Sequence, residues 1–122
     1  MGVIEVLATL IGAGVGAALR YVFGGWVNHR TGANFPWGTL AVNAVGCFAL
    51  GFLEGIAPDD RVLLFVLGSG IIAGFTTFST LMLETLNLSL AKEHDRALFN
   101  VLGSVALGVS ALFVGIYLGA LA

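Results

Sequence analysis

The sequence predicts an all-α membrane protein with four transmembrane helices in each subunit. Hydrophobic residues make up 58% of its 122 residues and charged residues only 10%, whereas a soluble domain usually carries about a quarter charged residues. Four apolar segments each come close to the roughly 20 residues that cross a bilayer core. Helices are expected in all four, because lipid offers no partner to the main-chain groups of an open strand.

The four segments belong to a single transmembrane domain, residues 1–122, and are joined by short polar linkers. The first, at about 3–27, is not expected to be a signal peptide, because it lacks a basic start and is interrupted by Arg20. Side chains typical of a membrane interface fall near segment ends; these are Trp26, Trp37 and Tyr117. The other segments cover about 37–56, 62–87 and 98–121.

The third segment contains the stretch "GIIAGFTTFST" at residues 70–80, which a simple membrane helix would not need. Glycine weakens a helix, and hydroxyl side chains favour helix starts because they accept hydrogen bonds from free amides. We therefore predict a break near 70–75, with one half-helix ending near Gly70 and a second starting near Phe75. The residues that suggest the break are Gly68, Gly70, Gly74, Thr76, Thr77, Ser79 and Thr80.

Such a break would create ion sites, since a helix C-terminus presents carbonyls to cations and an N-terminus presents amides to anions. Phe75 and Phe78 are expected to project to one side, where their positive ring edges could line an anion path; ordinary core packing is the alternative. Asn43 has two open interpretations. Its amide either bonds a neighbouring helix or donates to an anion in a water-filled path.

Small residues recur along two helices at a spacing typical of helix contacts. These stripes predict a homodimer of eight helices, with packing inside one subunit as the alternative. One side of the membrane has only Arg61, whereas the other has Arg30, Lys92 and Arg96, with Arg20 near the end of its span. An excess of only two or three basic residues is compatible with insertion in both orientations, and also with a weakly biased single orientation. The first stripe comprises Ala8, Gly12, Gly16 and Arg20; the stripe on the fourth helix comprises Asn100, Ser104 and Gly108, with Gly115 and Gly119 further along. On the second helix, Gly46 is a further predicted packing residue.

Several function classes are disfavoured by the sequence. The net charge of −2 gives no sign of nucleic-acid binding, and the lone Cys47 is interpreted as a packing residue. No nucleophile–base pair, metal-spaced cluster or phosphate loop suggests an enzyme. The glutamates, Glu5, Glu54 and Glu84, fall near segment ends where water can reach them, which argues against a small multidrug-type exporter. A membrane scaffold without transport is the other alternative.

Three stretches together resemble the CrcB/Fluc family of small fluoride channels over nearly the whole chain. They are "GAGVGAALRY" in the first segment, "PWGTLAVNAVGCFALG" in the second and "GIIAGFTTFSTLMLE" in the third. The resemblance implies a passive channel in the cell membrane that exports cytoplasmic fluoride and so limits its toxicity. It also implies an antiparallel, dual-topology homodimer with two pores and a structural sodium ion at the centre of its interface.

Site residues follow from the same resemblance. Main-chain carbonyls of Gly70 and Ala73 would hold the Na⁺ ion, and Arg20 would lie near a pore mouth. This sequence departs from the family pattern at Ala73, where a glycine is usual, at Leu81 and Met82, and at Asn100, where a tyrosine is expected. The roles of Asn100, Ser110 and Glu84 stay open. The implied pore residues are Asn43, Phe75, Phe78, Thr76, Thr77 and, more loosely, Ser104.

Overall fold

The structure, a computed structural model, describes residues 2–32 and 34–122 and is helical through most of them. Over that part of the chain, four helical spans are long and apolar enough to cross a membrane, with mean hydropathy between 1.6 and 2.2. The predicted all-helical architecture with four spans is therefore confirmed. The spans are Val3–Thr31, Trp37–Ile56, Arg61–Leu90 and His94–Leu121.

The first, second and fourth spans are uninterrupted helices: α1 (Val3–Thr31), α2 (Trp37–Ile56) and α6 (His94–Leu121). Two of them extend beyond the apolar segments read from the sequence, since a helix continues past the hydrocarbon core where its side chains become polar. Gly32 ends α1 with φ 84°, a left-handed conformation that glycine adopts without steric cost.

The third span is irregular. Its first part consists of α3 (Arg61–Leu63), a π-helical stretch (Leu64–Ile72) and α4 (Ala73–Phe75), in that order. Residues 76–78 are not helical, and α5 (Ser79–Leu90) completes the span. The helix thus stops after the 70–75 range predicted from the glycines.

Close packing on α1 gives these glycines a role other than ending the helix. A Cβ atom on Gly70 would lie 3.0 Å from the carbonyl oxygen of Thr9, and one on Gly74 would overlap the main chain of Ala13. The two glycines therefore let the third span approach α1 closely, as small residues do in membrane helix pairs. Their effect is on packing, and the chain stays helical through both.

The closest approach between α2 and α6 also depends on glycines, which face each other from both helices. A Cβ atom on any of these glycines would overlap a main-chain oxygen of the opposite helix. The small-residue stripe of the fourth helix therefore packs inside the subunit, which was the alternative interpretation, and gives no argument for a second subunit. The glycines are Gly51 and Gly55 on α2 and Gly115 and Gly119 on α6.

Replacing Gly51 by alanine tests this contact with a single methyl group. The new Cβ would overlap the Leu112 carbonyl oxygen, so α2 and α6 must separate. We expect the free energy of unfolding in detergent to fall by about 1–3 kcal/mol, the usual cost of overpacking. Tryptophan fluorescence and circular dichroism during unfolding would measure the change.

Gly14→Ala on α1 is the matched control, because no heavy atom lies within 4 Å of its added Cβ. We expect this variant to be neutral or slightly more stable, since alanine favours helix over glycine. Equal destabilisation by both substitutions would contradict the packing explanation.

Candidate functional site

The interruption at residues 76–78 removes main-chain groups from the helical hydrogen-bond pattern. Thr76 is extended, with φ −78° and ψ 160°. In a continuous helix its carbonyl would accept from the Thr80 N–H, which instead bonds Thr77 Oγ1 at 3.1 Å. The Thr76 carbonyl accepts from Arg20 Nη1 at 3.1 Å. Side chains thus replace the lost partners, as buried main-chain groups require.

Asn43 on α2 pairs with the main chain of Thr77. Its Oδ1 accepts from the Thr77 N–H and its Nδ2 donates to the Thr77 carbonyl, each at 2.8 Å. The amide orientation is fixed because only this one satisfies both groups. Of the two interpretations that the sequence left open, the structure shows the bond to a neighbouring segment. One Nδ2 hydrogen remains for another acceptor.

The same pairing leaves the Ala73 carbonyl without its usual helical donor. That donor would be the Thr77 N–H, which bonds Asn43 instead. Within the described part of the chain the carbonyl accepts one hydrogen bond, from Thr76 Oγ1 at 3.3 Å, and Ala73 is exposed. Gly70, the other predicted sodium ligand, is buried against α1, and its carbonyl accepts the Ala73 N–H. The two carbonyls therefore have different surroundings.

The two phenylalanines beside the interruption also differ. Phe75 is half-buried and packs against Phe23 of α1, with ring centroids 6.0 Å apart and planes inclined by 36°. Phe78 is 73% exposed. The expectation that both rings project to one side assumed helical backbone between them. Because Thr76 is extended, helical spacing does not apply there.

Two cavities share Thr77 as a wall residue. The polar cavity, of about 680 Å³, contains charged side chains from α1 and α5. The apolar cavity, of about 480 Å³, lies beside the interruption and holds most of the predicted pore residues. The polar cavity is lined by Arg20, Asn28, Thr39, Thr80 and Glu84 among others. The apolar cavity is lined by Asn43, Gly46, Thr76, Phe78 and Ser104 among others.

The fourth helix contributes buried polar side chains. Asn100 is 0% exposed and donates through Nδ2 to Thr85 Oγ1 at 2.9 Å, which in turn donates to the Leu81 carbonyl at 2.7 Å. Asn100 Oδ1 and the buried Ser104 Oγ have no partner among the described residues. Sequence reasoning missed Thr85, although a fully buried amide at Asn100 needs a polar partner on a neighbouring helix.

Glu84 is less accessible than the sequence suggested. It was placed near a segment end where water can reach it, but it is half-buried inside α5 and lines the polar cavity. Its Oε1 atom is buried without a partner among the described residues. The reason is that α5 extends to Leu90, which leaves Glu84 more than one turn inside the helix. The accessibility inferred from the sequence therefore applies to only part of this side chain.

Comparison with known proteins gives one consistent family. The model of the family described as "CrcB-like protein, Camphor Resistance (CrcB)" matches residues 7–116. "Fluoride-specific ion channel FluC 1" of Rubrobacter xylanophilus is 63% identical over 116 residues, which cover 95% of this chain and 94% of that protein.

Two more distant relatives carry the name "Fluoride-specific ion channel FluC". The protein of Thermus thermophilus is 43% identical over 98% of this chain and 96% of its own length. The protein of Oceanobacillus iheyensis is 40% identical over 93% of this chain and 90% of its own length. With a family model that covers most of the chain and relatives that align almost end to end, the chain belongs to the CrcB-like family.

Proposed function

We propose that this protein is a fluoride-selective ion channel through which cytoplasmic fluoride leaves the cell passively. The names of its relatives, which align with nearly the whole chain, support this function. The structural observation that carries it is the interruption of the third span, where Asn43 pairs with Thr77 at the edge of the apolar cavity. A channel has no catalytic step, so the protein is not an enzyme.

A dehydrated anion needs hydrogen-bond donors along its path. The hydroxyl of Thr76 already donates to main-chain carbonyls, so it offers no donor to an ion. Thr77 Oγ1 accepts the Thr80 amide and lies 3.5 Å from Ser79 Oγ. If the Ser79 hydroxyl is the donor in that pair, the Thr77 hydroxyl hydrogen is available to an ion. The Ser104 hydroxyl and the second Nδ2 hydrogen of Asn43 supply two further donors beside the apolar cavity.

Aromatic edges complete the proposed path. Phe78 lines the apolar cavity. The Phe75 ring lies next to Gly46, a residue of that cavity wall, at 3.5 Å from the position of a Cβ added there. A ring edge carries partial positive charge but holds an anion less strongly than a fixed cation would. This balance permits entry and release, which conduction requires. The membrane potential drives the anion outward, at about 2.3 kcal/mol per elementary charge per 100 mV.

The proposed functional unit is an antiparallel homodimer with two pores. Phe78 is 73% exposed and Ala73 is exposed in the single subunit, so a second subunit would cover both. The charge pattern supports dual topology, because the two sides differ little in basic residues: Arg61 on one side, and Arg30, Lys92 and Arg96 on the other.

A structural sodium ion fits the chemistry of the interruption. The Ala73 carbonyl lacks a main-chain donor because Asn43 has taken the Thr77 N–H, and this carbonyl lies on the face that a second subunit would cover. Carbonyl oxygens at a helix C-terminus suit a hard cation. In a dimer, the Ala73 carbonyl of each subunit would contact the ion. The Gly70 carbonyl is buried and already accepts the Ala73 N–H, so it would bind the ion only through its second lone pair.

Fluoride efflux from liposomes tests the channel. Protein reconstituted in vesicles loaded with fluoride should release it rapidly, whereas vesicles loaded with chloride should release little. Phe78→Leu and Phe75→Leu keep apolar bulk but remove the ring edge, and each should lower fluoride efflux by about tenfold or more, equivalent to ~1.4 kcal/mol in the barrier.

Phe113→Leu is the matched control, because Phe113 is 64% exposed on α6 and lies outside both cavities. Its efflux should equal that of the unmodified protein. Equal release of chloride and fluoride by the unmodified protein would reject fluoride selectivity, and no release of either ion would favour the scaffold alternative. Normal efflux in both Phe75→Leu and Phe78→Leu would show that the two rings serve only in packing.

Asn43→Asp tests the amide donor. The substitution replaces both Nδ2 hydrogens by a carboxylate oxygen, which repels the anion and faces the Thr77 carbonyl. We expect fluoride efflux to fall below detection while the dimer persists in size-exclusion chromatography. Asn87→Asp adds the same charge to an exposed position on α5 and should conduct normally; a similar loss in that variant would assign the effect to net charge.

Sodium content provides a separate test of the cation site. Protein purified in sodium should retain the ion in elemental analysis, and exchange into N-methylglucamine should remove it and silence efflux. Asn43→Leu returns the Thr77 N–H to the Ala73 carbonyl, so it should also lower the sodium content. Full efflux without bound sodium would eliminate the structural ion while leaving the channel proposal intact.

A further inference from the structure

We propose that one face of α1, formed by Gly16, Arg20 and Phe23, clamps the start of the interruption, and that Arg20 acts there as a positioning residue rather than as an attractor of anions. This α1 clamp rests on the proposed channel function for its effect on conduction. Its structural part, the immobilisation of residues 75–77, stands independently of that function.

The three clamp residues share a helix face because they are spaced by four and three positions. A Cβ on Gly16 would overlap the Ile71 carbonyl oxygen and lie 2.8 Å from the Phe75 nitrogen, so only glycine permits this approach. Phe23, further along α1, packs its ring against that of Phe75 at 6.0 Å between centroids. Successive turns of α1 thus contact the same short part of the third span, around Phe75.

Arg20 lies between these two contacts and completes them. The Thr76 carbonyl has lost its helical donor, since the Thr80 N–H bonds Thr77 Oγ1. Arg20 Nη1 donates to this carbonyl at 3.1 Å, and this hydrogen bond joins the first span to the third. A hydrogen bond from a charged donor is stronger than a neutral one. The guanidinium charge is also favourable beside the C-terminal end of the preceding helical segment.

If Arg20 positions the segment, the loss of conductance in a variant should not depend on ionic strength. If Arg20 attracts anions, that loss should shrink as ionic strength rises. Attraction of anions by a guanidinium weakens as salt shortens the screening length from about 10 Å at 0.1 M to about 3 Å at 1 M. A hydrogen bond to a half-buried carbonyl is much less affected. The salt dependence of a variant's deficit therefore separates the two roles.

Unitary fluoride conductance in planar bilayers is the first readout, because it does not depend on how much protein folds. Ionic strength is raised with an impermeant organic anion at constant fluoride. Arg20→Met should lower the conductance about tenfold at low and at high ionic strength alike, the loss expected for a hydrogen bond to a charged donor. Arg20→Lys keeps the charge, but its single ammonium nitrogen lies on a shorter side chain than the guanidinium fork, so it should recover only part of the conductance.

Arg30→Met is the matched control. Arg30 carries the same charge near the same end of α1 but is exposed and packs over the Trp26 ring. We expect its conductance to be normal. A deficit in Arg20→Met that disappears at high ionic strength, with full recovery in Arg20→Lys, would overturn the positioning role in favour of anion attraction.

Hydrogen–deuterium exchange is the second readout and does not require conduction. Arg20→Met and Phe23→Leu should each increase exchange in peptides that cover residues 75–80, while peptides from α6 stay unchanged. Because both side chains hold one segment, the double variant should exchange little faster than either single variant. Unchanged exchange at 75–80 in both single variants would reject the clamp, whereas faster exchange in a protein without fluoride conductance would reject only the channel.

Discussion

The structure depends on one constraint, that main-chain groups within lipid must find partners inside the protein. An interrupted helix violates this requirement locally, and an unsatisfied buried group costs on the order of several kcal/mol. The non-helical conformation of residues 76–78 is stable because Arg20 from α1 and Asn43 from α2 make three hydrogen bonds to Thr76 and Thr77. The interruption is therefore held by two other spans.

This exchange of partners has consequences on both sides of the segment. When Asn43 accepts the Thr77 amide, the Ala73 carbonyl loses its helical donor and becomes available at the subunit surface. When Thr77 Oγ1 accepts the Thr80 amide, the Thr76 carbonyl becomes available to Arg20. The proposed anion path and cation site would thus be linked through one asparagine, without any direct contact between the two ions.

Glycine serves this arrangement indirectly. Gly70 and Gly74 bring the third span against α1, and Gly16 lets α1 approach from the other side. At these short distances Arg20 and Phe23 reach Thr76 and Phe75. The α2–α6 pair, packed through its own glycines, carries Asn43 and Ser104 to the apolar cavity. Close helix packing therefore sets the positions of the polar side chains.

The sequence by itself determined the four apolar spans, because the length and hydropathy of each segment are local properties. It also located an irregularity in the third span and marked Asn43, since a polar amide in an apolar helix needs a partner. Only the tertiary structure decided that the helix continues to Phe75, because the side chains that replace helical hydrogen bonds, Asn43 and Arg20, act on Thr76 and Thr77. The burial of Glu84 likewise depends on contacts between spans. So do the hydrogen bonds from Arg20 to Thr76 and between Asn43 and Thr77, because no local sequence pattern specifies a partner on another span.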